Sequence, residues 1–515
     1  MEFKSNLLDL EAGGKFIVVM GAIDAKGLGV ISSDRVEVAF GDSDVVAILN
    51  TASEYPEGTL GVFRDVRERL GLREGDSVRV RPVEKPESLQ FIRKKILGEK
   101  LAPREIDMIV EDVVERHLSD IELTAFVTAL QFHGTSMEEV ESLSRAMIKT
   151  GKSINFHKMP ILDKHSIGGV PGDKTTLLVV PIVAAAGYTI PKTSSRAITS
   201  PAGTADRMEA LSPVDLRIDE IMEVVEKTNA CIVWGGALDL APADDIFIQV
   251  EYPLSIDPLL LPSIMSKKKA MGITHVVIDI PTGRGAKIKT IGQAHQLSLD
   301  FIELGGRLDV LVRCAVTEGE QPIGRAVGPI LEAREALEVL MGGGSPDLVD
   351  KAASLAGILF EMAGEENGKE KALHLLTSGK AEEKMRQIVE AQGGDPEVSP
   401  QDLVVGDRWV DVEAKQGGRA LWINNRFIAH VARAAGAPSD KGAGLLLKVK
   451  LGEEVTEGDP LFRIYSENNR KLDQAESLAR ELEPVGVGSR VGEKMLIMEI
   501  TKGVKREAVK YILDR

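Results

Sequence analysis

Cysteine is nearly absent from this chain: 515 residues carry two, Cys231 and Cys314, with no Cys-x-x-Cys spacing. A disulfide framework is thereby excluded and a zinc site disfavoured, which leaves two plain core cysteines. Aromatic residues are also scarce, at 4%, so Leu, Ile, Val and Ala must build the cores. No apolar run reaches bilayer length, because the longest, residues 177–187, is interrupted by Pro181. Residues 1–10 carry charges of both signs and no signal-peptide apolar region, so a soluble, cytoplasmic protein is expected. Positive charge is in deficit, and the formal net charge of −16 opposes binding to a nucleic acid polymer or an anionic membrane. No Gly-Lys-Ser/Thr closes a Walker loop, and no His/Cys spacing suggests a metal. An anionic substrate would need a locally basic pocket. The candidates are Lys164, Arg196, Lys267, Lys268, Lys269, Arg284, Lys287 and Lys289, although the 267–269 run alone reads as a solvated helix face.

A chain this long predicts two to four domains, and the pattern is multidomain α/β. Residues 1–86 read as a small β-rich domain with strands at 16–20, 35–40, 45–49 and 77–81 and a helix at 62–70. They hold no cluster of ionisable residues suited to catalysis, so assembly is the role expected of them. Residues 87–153 read as a helical domain. Ile106, Ile109, Val110, Val113 and Val114 recur at helical spacing, and Ser136 with Glu139 forms a capping box. Residues 154–415 alternate strands and helices around a mixed or mostly parallel sheet, with buried strands at 273–280 and 308–315. Within this span, about 242–270 is expected to pack on the helical domain. Residues 416–515 read as a barrel-sandwich-like α+β region, with strands at 446–449, 460–464 and 494–499.

Two loops carry the chemistry. The first is Asp163-Lys164-His165-Ser166-Ile167-Gly168-Gly169-Val170-Pro171-Gly172-Asp173-Lys174-Thr175-Thr176. Its glycines let backbone N–H groups approach an anion, and a helix beginning near Asp173 would add its N-terminus. The second runs from Thr193 to Asp206 and includes Ser194, Ser195, Arg196, Thr199, Ser200 and Thr204. It follows a strand at 188–192 and precedes a helix near Ala205, the place where α/β sheets bind ligands. Its hydroxyls and its arginine suit an oxyanion. Either loop alone could be an ordinary turn.

Together these motifs resemble the thymidine phosphorylase family. The resemblance extends through Leu240-Ala241-Pro242-Ala243-Asp244, Ser263-Ile264-Met265-Ser266-Lys267-Lys268 and the C-terminal region. Within that family the N-terminal extension and the wording Ser-Ser-Arg-Ala-Ile-Thr-Ser resemble the archaeal AMP phosphorylase branch. Nucleoside-cleaving members resemble Ser-Gly-Arg-Gly-Leu-Gly-His-Thr-Gly-Gly-Thr here, whereas this chain has Ser195, Thr199 and Ser200 in place of two glycines and the histidine. Extra hydroxyls are what a 5′-phosphate requires. The family's pyrimidine-contacting arginine is replaced by Val250.

The resemblance implies a pentosyltransferase that converts AMP and phosphate to adenine and ribose 1,5-bisphosphate in AMP degradation, with CMP and UMP as further substrates. Phosphate would be a co-substrate, with no cofactor and no metal. The resemblance assigns the attacking phosphate to Lys164, Ser166, Thr176, Ser194 and Thr204. It assigns the nucleotide to Gly169, Ser195, Arg196, Ala197, Ile198, Thr199, Ser200, Thr204, Ser263 and Lys287. Asp257 would be the proton donor to the leaving base, from a partly buried position; its competing reading is an N-cap for a helix beginning at Pro258. His165 stays open between phosphate contact and structural hydrogen bonding. A homodimer or larger homo-oligomer is implied. Three alternatives stand beside this reading: a pyrimidine nucleoside phosphorylase, a non-catalytic nucleotide-binding scaffold, and a phosphoribosyltransferase, which would need pyrophosphate and magnesium handling that the sequence does not offer.

Overall fold

The computed structural model describes residues 1–197 and 200–488, so the expected strand at 494–499 lies outside the described residues. The chain divides into two compact units, one of residues 1–154 and 239–271, the other of residues 155–238 and 272 onward. Among the described residues, no helix is long and apolar enough to cross a membrane.

The first unit opens with a closed six-stranded barrel ordered Glu2–Leu7, Thr59–Val62, Ile17–Gly21, Ser43–Ala52, Arg35–Phe40, Ser77–Pro82. Alternation dictates the inside: Val36, Val38, Val78 and Val80 are buried, while Ser77, Arg79 and Arg81 between or beside them face water. Closure leaves no unpaired strand edge. The expected helix at 62–70 is shorter, Arg64–Leu70, because Val62 ends a strand. The helices Ser88–Ile96, Pro103–Val114, Asp120–His133 and Met137–Lys149 follow. The returning segment adds Pro242–Leu254 and Leu260–Ala270, whose Ala243, Phe247 and Leu259 share a core with Ile109, Val113, Phe126 and Met147. Ser136 caps the Met137–Lys149 helix, with Glu139 N donating to its Oγ at 3.4 Å.

The second unit is built on five parallel strands. Leu311–Glu318, His275–Thr282 and Leu162–Ser166 form one sheet, and Ile190–Ser194 pairs with Ala230–Trp234 in another. The Ile161–Thr189 bridge, also parallel, joins the two. The apolar 177–187 run is a core helix, Thr176–Ala185, whose residues from Thr176 to Ala184 are all buried, Pro181 included. That burial on every side explains why the run is apolar all round. Cys231 is buried in the adjacent strand, but Cys314 is only half-buried, so just one of the two is a core cysteine. Two antiparallel sheets follow among the described residues. One orders Ala326–Val327, Gly444–Leu447, Pro460–Ser466 and Arg408–Glu413, the other Glu454–Val455, Gly418–Ile423 and Val485–Gly488. Arg408–Glu413, which precedes residue 416, pairs in the first of these with Pro460–Ser466.

One buried ion pair fixes the entry to the core helix. Lys174 Nζ donates to the carbonyls of Ile323 and Ala326, each at 3.0 Å, and lies 2.6 Å from Glu335 Oε2. Glu335 also accepts from Ser345 Oγ at 2.7 Å and Ala326 N at 2.8 Å. Burial pushes the Glu335 carboxyl up, but Lys174 and these donors outweigh it and hold the group down to about 2. A carboxyl lowered from its ordinary 4.5 stabilises the fold fully above that value and loses the contribution as pH falls toward 2. At roughly 1.4 kcal/mol per pH unit of displacement, the contribution is about 3 kcal/mol. Glu335→Gln is expected to lower the urea midpoint at pH 7, because Lys174 is left buried without its counter-charge. It should also flatten the loss of stability below pH 4.5. Urea titrations of both proteins across pH 2–7 check this, and superimposable curves would contradict it.

Candidate active site

The parallel sheet reverses its order at one place. From Leu162–Ser166 the chain moves to Ile190–Ser194 and then Ala230–Trp234 on one side. It then crosses to His275–Thr282 and Leu311–Glu318 on the other. The carboxyl ends of Leu162–Ser166 and His275–Thr282 flank that reversal, which is where open α/β sheets bind ligands. The Gly-rich loop leaves the first of these strands and the 283–289 turn leaves the second. Gly168 and Gly169 have φ of 78° and 93°, a region that glycine occupies without strain. A Cβ on Gly169 would stand 2.7 Å from Lys287 N, so only glycine lets the two loops meet. The turn is fixed by Gly283 N donating to Ile288 O at 3.0 Å. Gly285 packs against the buried Asn425, which donates from Nδ2 to Gly319 O at 2.8 Å. Lys287 is exposed at its tip.

Beneath the Gly-rich loop, Lys164 is 1% exposed. Its Nζ donates to Thr175 Oγ1 at 3.1 Å and stands 3.7 Å from Asp173 and 3.9 Å from Asp279. The Thr175 hydroxyl donates to Asp173. The core helix starts at Thr176, so Asp173 sits in the turn before it and not at the helix start; Thr176 is buried at its first position. Ser166 Oγ accepts from Gly168 N at 3.4 Å. His165 is half-buried opposite Ile278.

The Ser-rich loop follows the Ile190–Ser194 strand, so Ser194 is the last strand residue and donates to Val233 O at 3.1 Å. Asp206, 3% exposed, ties the loop's two ends by accepting from Ala197 N at 2.7 Å and Gly203 N at 2.8 Å. A Cβ on Gly203 would stand 2.5 Å from Ser195 O. Ser200 Oγ donates to Ala202 O at 3.1 Å, and Thr204 Oγ1 accepts from Arg207 at 3.3 Å. Ile198 and Thr199 lie outside the described residues. Arg196 is engaged within the protein: Glu209 takes both terminal nitrogens, at 2.9 and 2.7 Å, and Trp234 lies under the guanidinium, its ring centre 5.1 Å away. That fork holds the Arg196 charge above its ordinary range and the Glu209 carboxyl down to about 2.

Asp257 and Ser263 belong to the first unit. Asp257 is exposed, which corrects the expectation of partial burial. It is not a helix cap either, because the following helix begins at Leu260 with Leu259 in the cap position. Ser263 Oγ donates to Asp244 Oδ2 at 2.9 Å, and the same oxygen lies 2.6 Å from Lys267 Nζ. Burial disfavours the Lys267 charge, but Asp244 and Asp245 outweigh it and raise its pKa. Lys268 is 3% exposed. The 267–269 run is therefore not a solvated face: a carboxylate pair holds Lys267, and Lys268 is buried.

Three family models match the chain. They are a glycosyl transferase family helical bundle domain at 89–151, a glycosyl transferase family a/b domain at 158–382, and a pyrimidine nucleoside phosphorylase C-terminal domain at 422–484. The AMP phosphorylase of Thermofilum pendens is 51% identical over 509 residues, covering 99% of both chains. That of Thermococcus kodakarensis is 51% identical over 501 residues, covering 96% of this chain and 99% of its own. The chain belongs to the AMP phosphorylase family. Archaeoglobus fulgidus AMP phosphorylase 1 is similar at 49% over 485 residues.

The structure thus gathers Lys164, Ser166 and Gly169 with Lys287 at the reversal point, and Ser194, Ser195, Arg196, Ala197, Ser200 and Thr204 on the loop of the neighbouring strand. Sequence reasoning missed Thr175, Asp206, Asp279 and Asn425. Asp206 ends the second loop, in Gly203-Thr204-Ala205-Asp206, and was readable, whereas Asp279 and Asn425 are brought in by the fold from distant strands and helices. Because Gly169 has both a left-handed backbone and no space for a Cβ, Gly169→Ala should displace Lys287 and the loop together. We expect kcat/KM for the family reaction to fall about a hundredfold with an unchanged far-UV circular dichroism spectrum. Wild-type kinetics would show that the close approach has no functional consequence.

Proposed function

We propose that this chain phosphorolyses AMP. A phosphate oxygen attacks C1′ as the C1′–N9 bond breaks, which gives ribose 1,5-bisphosphate and adenine. The observation that carries this reading is the pair of anion-suited loops at the carboxyl end of neighbouring parallel strands, next to the point of strand reversal. One loop is glycine-rich over a buried lysine and the other is rich in hydroxyls. The family membership of the whole chain supports it.

In this reading Lys164, Ser166, Thr176, Ser194 and Thr204 hold the attacking phosphate. Gly169, the 195–200 segment, Thr204, Ser263 and Lys287 hold the nucleotide. Arg196, already engaged by Glu209, acts by holding the Ser-rich loop in shape for the 5′-phosphate. Asp257 supplies the proton that makes adenine a competent leaving group. Positioned donors would stabilise the charge that shifts as the oxocarbenium-like sugar forms. The reaction needs no cofactor, since phosphate is a substrate. CMP and UMP are further substrates, and the protein works as a cytoplasmic homo-oligomer in nucleotide salvage, with the N-terminal barrel serving assembly.

The missing 5′-phosphate separates this from a nucleoside phosphorylase. A site built to bind that group should lose most of its transition-state stabilisation without it. We expect kcat/KM for AMP to exceed that for adenosine, uridine and thymidine by about two orders of magnitude or more, measured as phosphate-dependent release of free base. Equal efficiency on a nucleoside would move the chain to the pyrimidine nucleoside phosphorylases. Binding of AMP without base release would favour a scaffold.

A further inference from the structure

Lys164 shares both of its carboxylates with a second buried lysine. Lys351, on the helix Pro346–Met362, is 9% exposed and places Nζ 2.9 Å from Asp279 Oδ2 and 4.0 Å from Asp173 Oδ2. At 2.9 Å the Lys351–Asp279 contact is the shorter of the two ion pairs. Lys164 Nζ approaches the same two oxygens at 3.9 and 3.7 Å. The other oxygens are engaged as well: Asp279 Oδ1 accepts from Thr317 Oγ1 at 2.6 Å, and Asp173 Oδ1 accepts from the Thr175 hydroxyl. Burial pushes against charge on both Asp173 and Lys351. The two lysines nevertheless hold the Asp173 carboxyl well below its usual range, and the two carboxylates hold Lys351 above its own.

Lys164 with Asp173 and Asp279 alone would be a net negative cluster beneath the Gly-rich loop, and it would repel an incoming phosphate. Lys351 brings the four groups to neutrality. Buried charges act strongly on one another, so one uncompensated carboxylate there would be felt by an anion at the loop. We propose that Lys351 is a positioning residue for phosphate: by occupying Asp279 and Asp173 from the far side, it leaves the Lys164 ammonium available to the anion. The inference rests on the reading of Lys164 as a phosphate ligand.

Steady-state kinetics of the full chain, with phosphate and AMP varied separately, test it. Lys351→Met should raise the phosphate KM by about tenfold or more and leave the AMP KM within about twofold. Asp279→Asn alone should lower the phosphate KM, and Asp279→Asn with Lys351→Met should return it to near wild type, because neutrality is restored. A merely structural role would instead move both KM values together, with the double variant no better than Lys351→Met. An unchanged phosphate KM in Lys351→Met, or no recovery in the double variant, overturns the proposal. If Lys351→Met does not fold, Asp279→Asn reads the same balance from the other side, and a raised phosphate KM there overturns it. Lys164→Gln separates the two claims: if it leaves the phosphate KM unchanged, the Lys164 reading fails. If it raises that KM while Lys351→Met does not, only the Lys351 inference fails.

Discussion

Taking a lysine ammonium out of water costs several kcal/mol unless a carboxylate goes with it, and the α/β unit buries four among its described residues. Lys164, Lys174, Lys192 and Lys351 are between 0 and 9% exposed. Each has its counter-ion: Asp173 and Asp279 for Lys164 and Lys351, Glu335 for Lys174, and Asp163 for Lys192 at 3.6 Å. The site depends on this matching. It ties the Gly-rich loop to the core helix, to the His275–Thr282 strand and to the Pro346–Met362 helix. It also lets positive charge stand beneath the Gly-rich loop in a protein whose net charge is −16. Arg196 repeats the arrangement nearer the surface, where Glu209 and Lys441 alternate with it.

The division of labour between glycine and charge follows from geometry. Gly169 and Gly203 bring backbone within reach of Lys287 N and Ser195 O, distances that no side chain at those positions could tolerate. Backbone donors can then line the site without adding net charge, while the buried lysines supply a field whose strength their partners set. Asp206 shows the same economy: one carboxylate oxygen closes the Ser-rich loop at Ala197 and Gly203.

Much of this was legible in the sequence because the two loops are local motifs. The Gly-rich run, the hydroxyl-rich run and their position after strands all read directly, and so did the Ser136 capping box. What failed to read was set by distant parts of the chain. Nothing near residue 267 says that Asp244 and Asp245 will hold Lys267. Nothing near residue 351 says that a helix will deliver its lysine to a strand aspartate. Asp257-Pro258 suits a cap, yet Ser255 ends the previous helix in a left-handed turn with φ of 53° and the next helix starts only at Leu260. The barrel strand Glu2–Leu7 alternates too weakly to announce itself, with only Phe3 and Ser5 buried.

Phosphate, and not water, takes the sugar from the base. AMP incubated with the enzyme and fully ¹⁸O-labelled phosphate decides it by mass spectrometry of the sugar product. The expected product is ribose 1,5-bisphosphate that carries every labelled oxygen, including the one bridging C1 to phosphorus, because that oxygen is the nucleophile. Unlabelled ribose 5-phosphate, formed at a rate independent of phosphate, would contradict it.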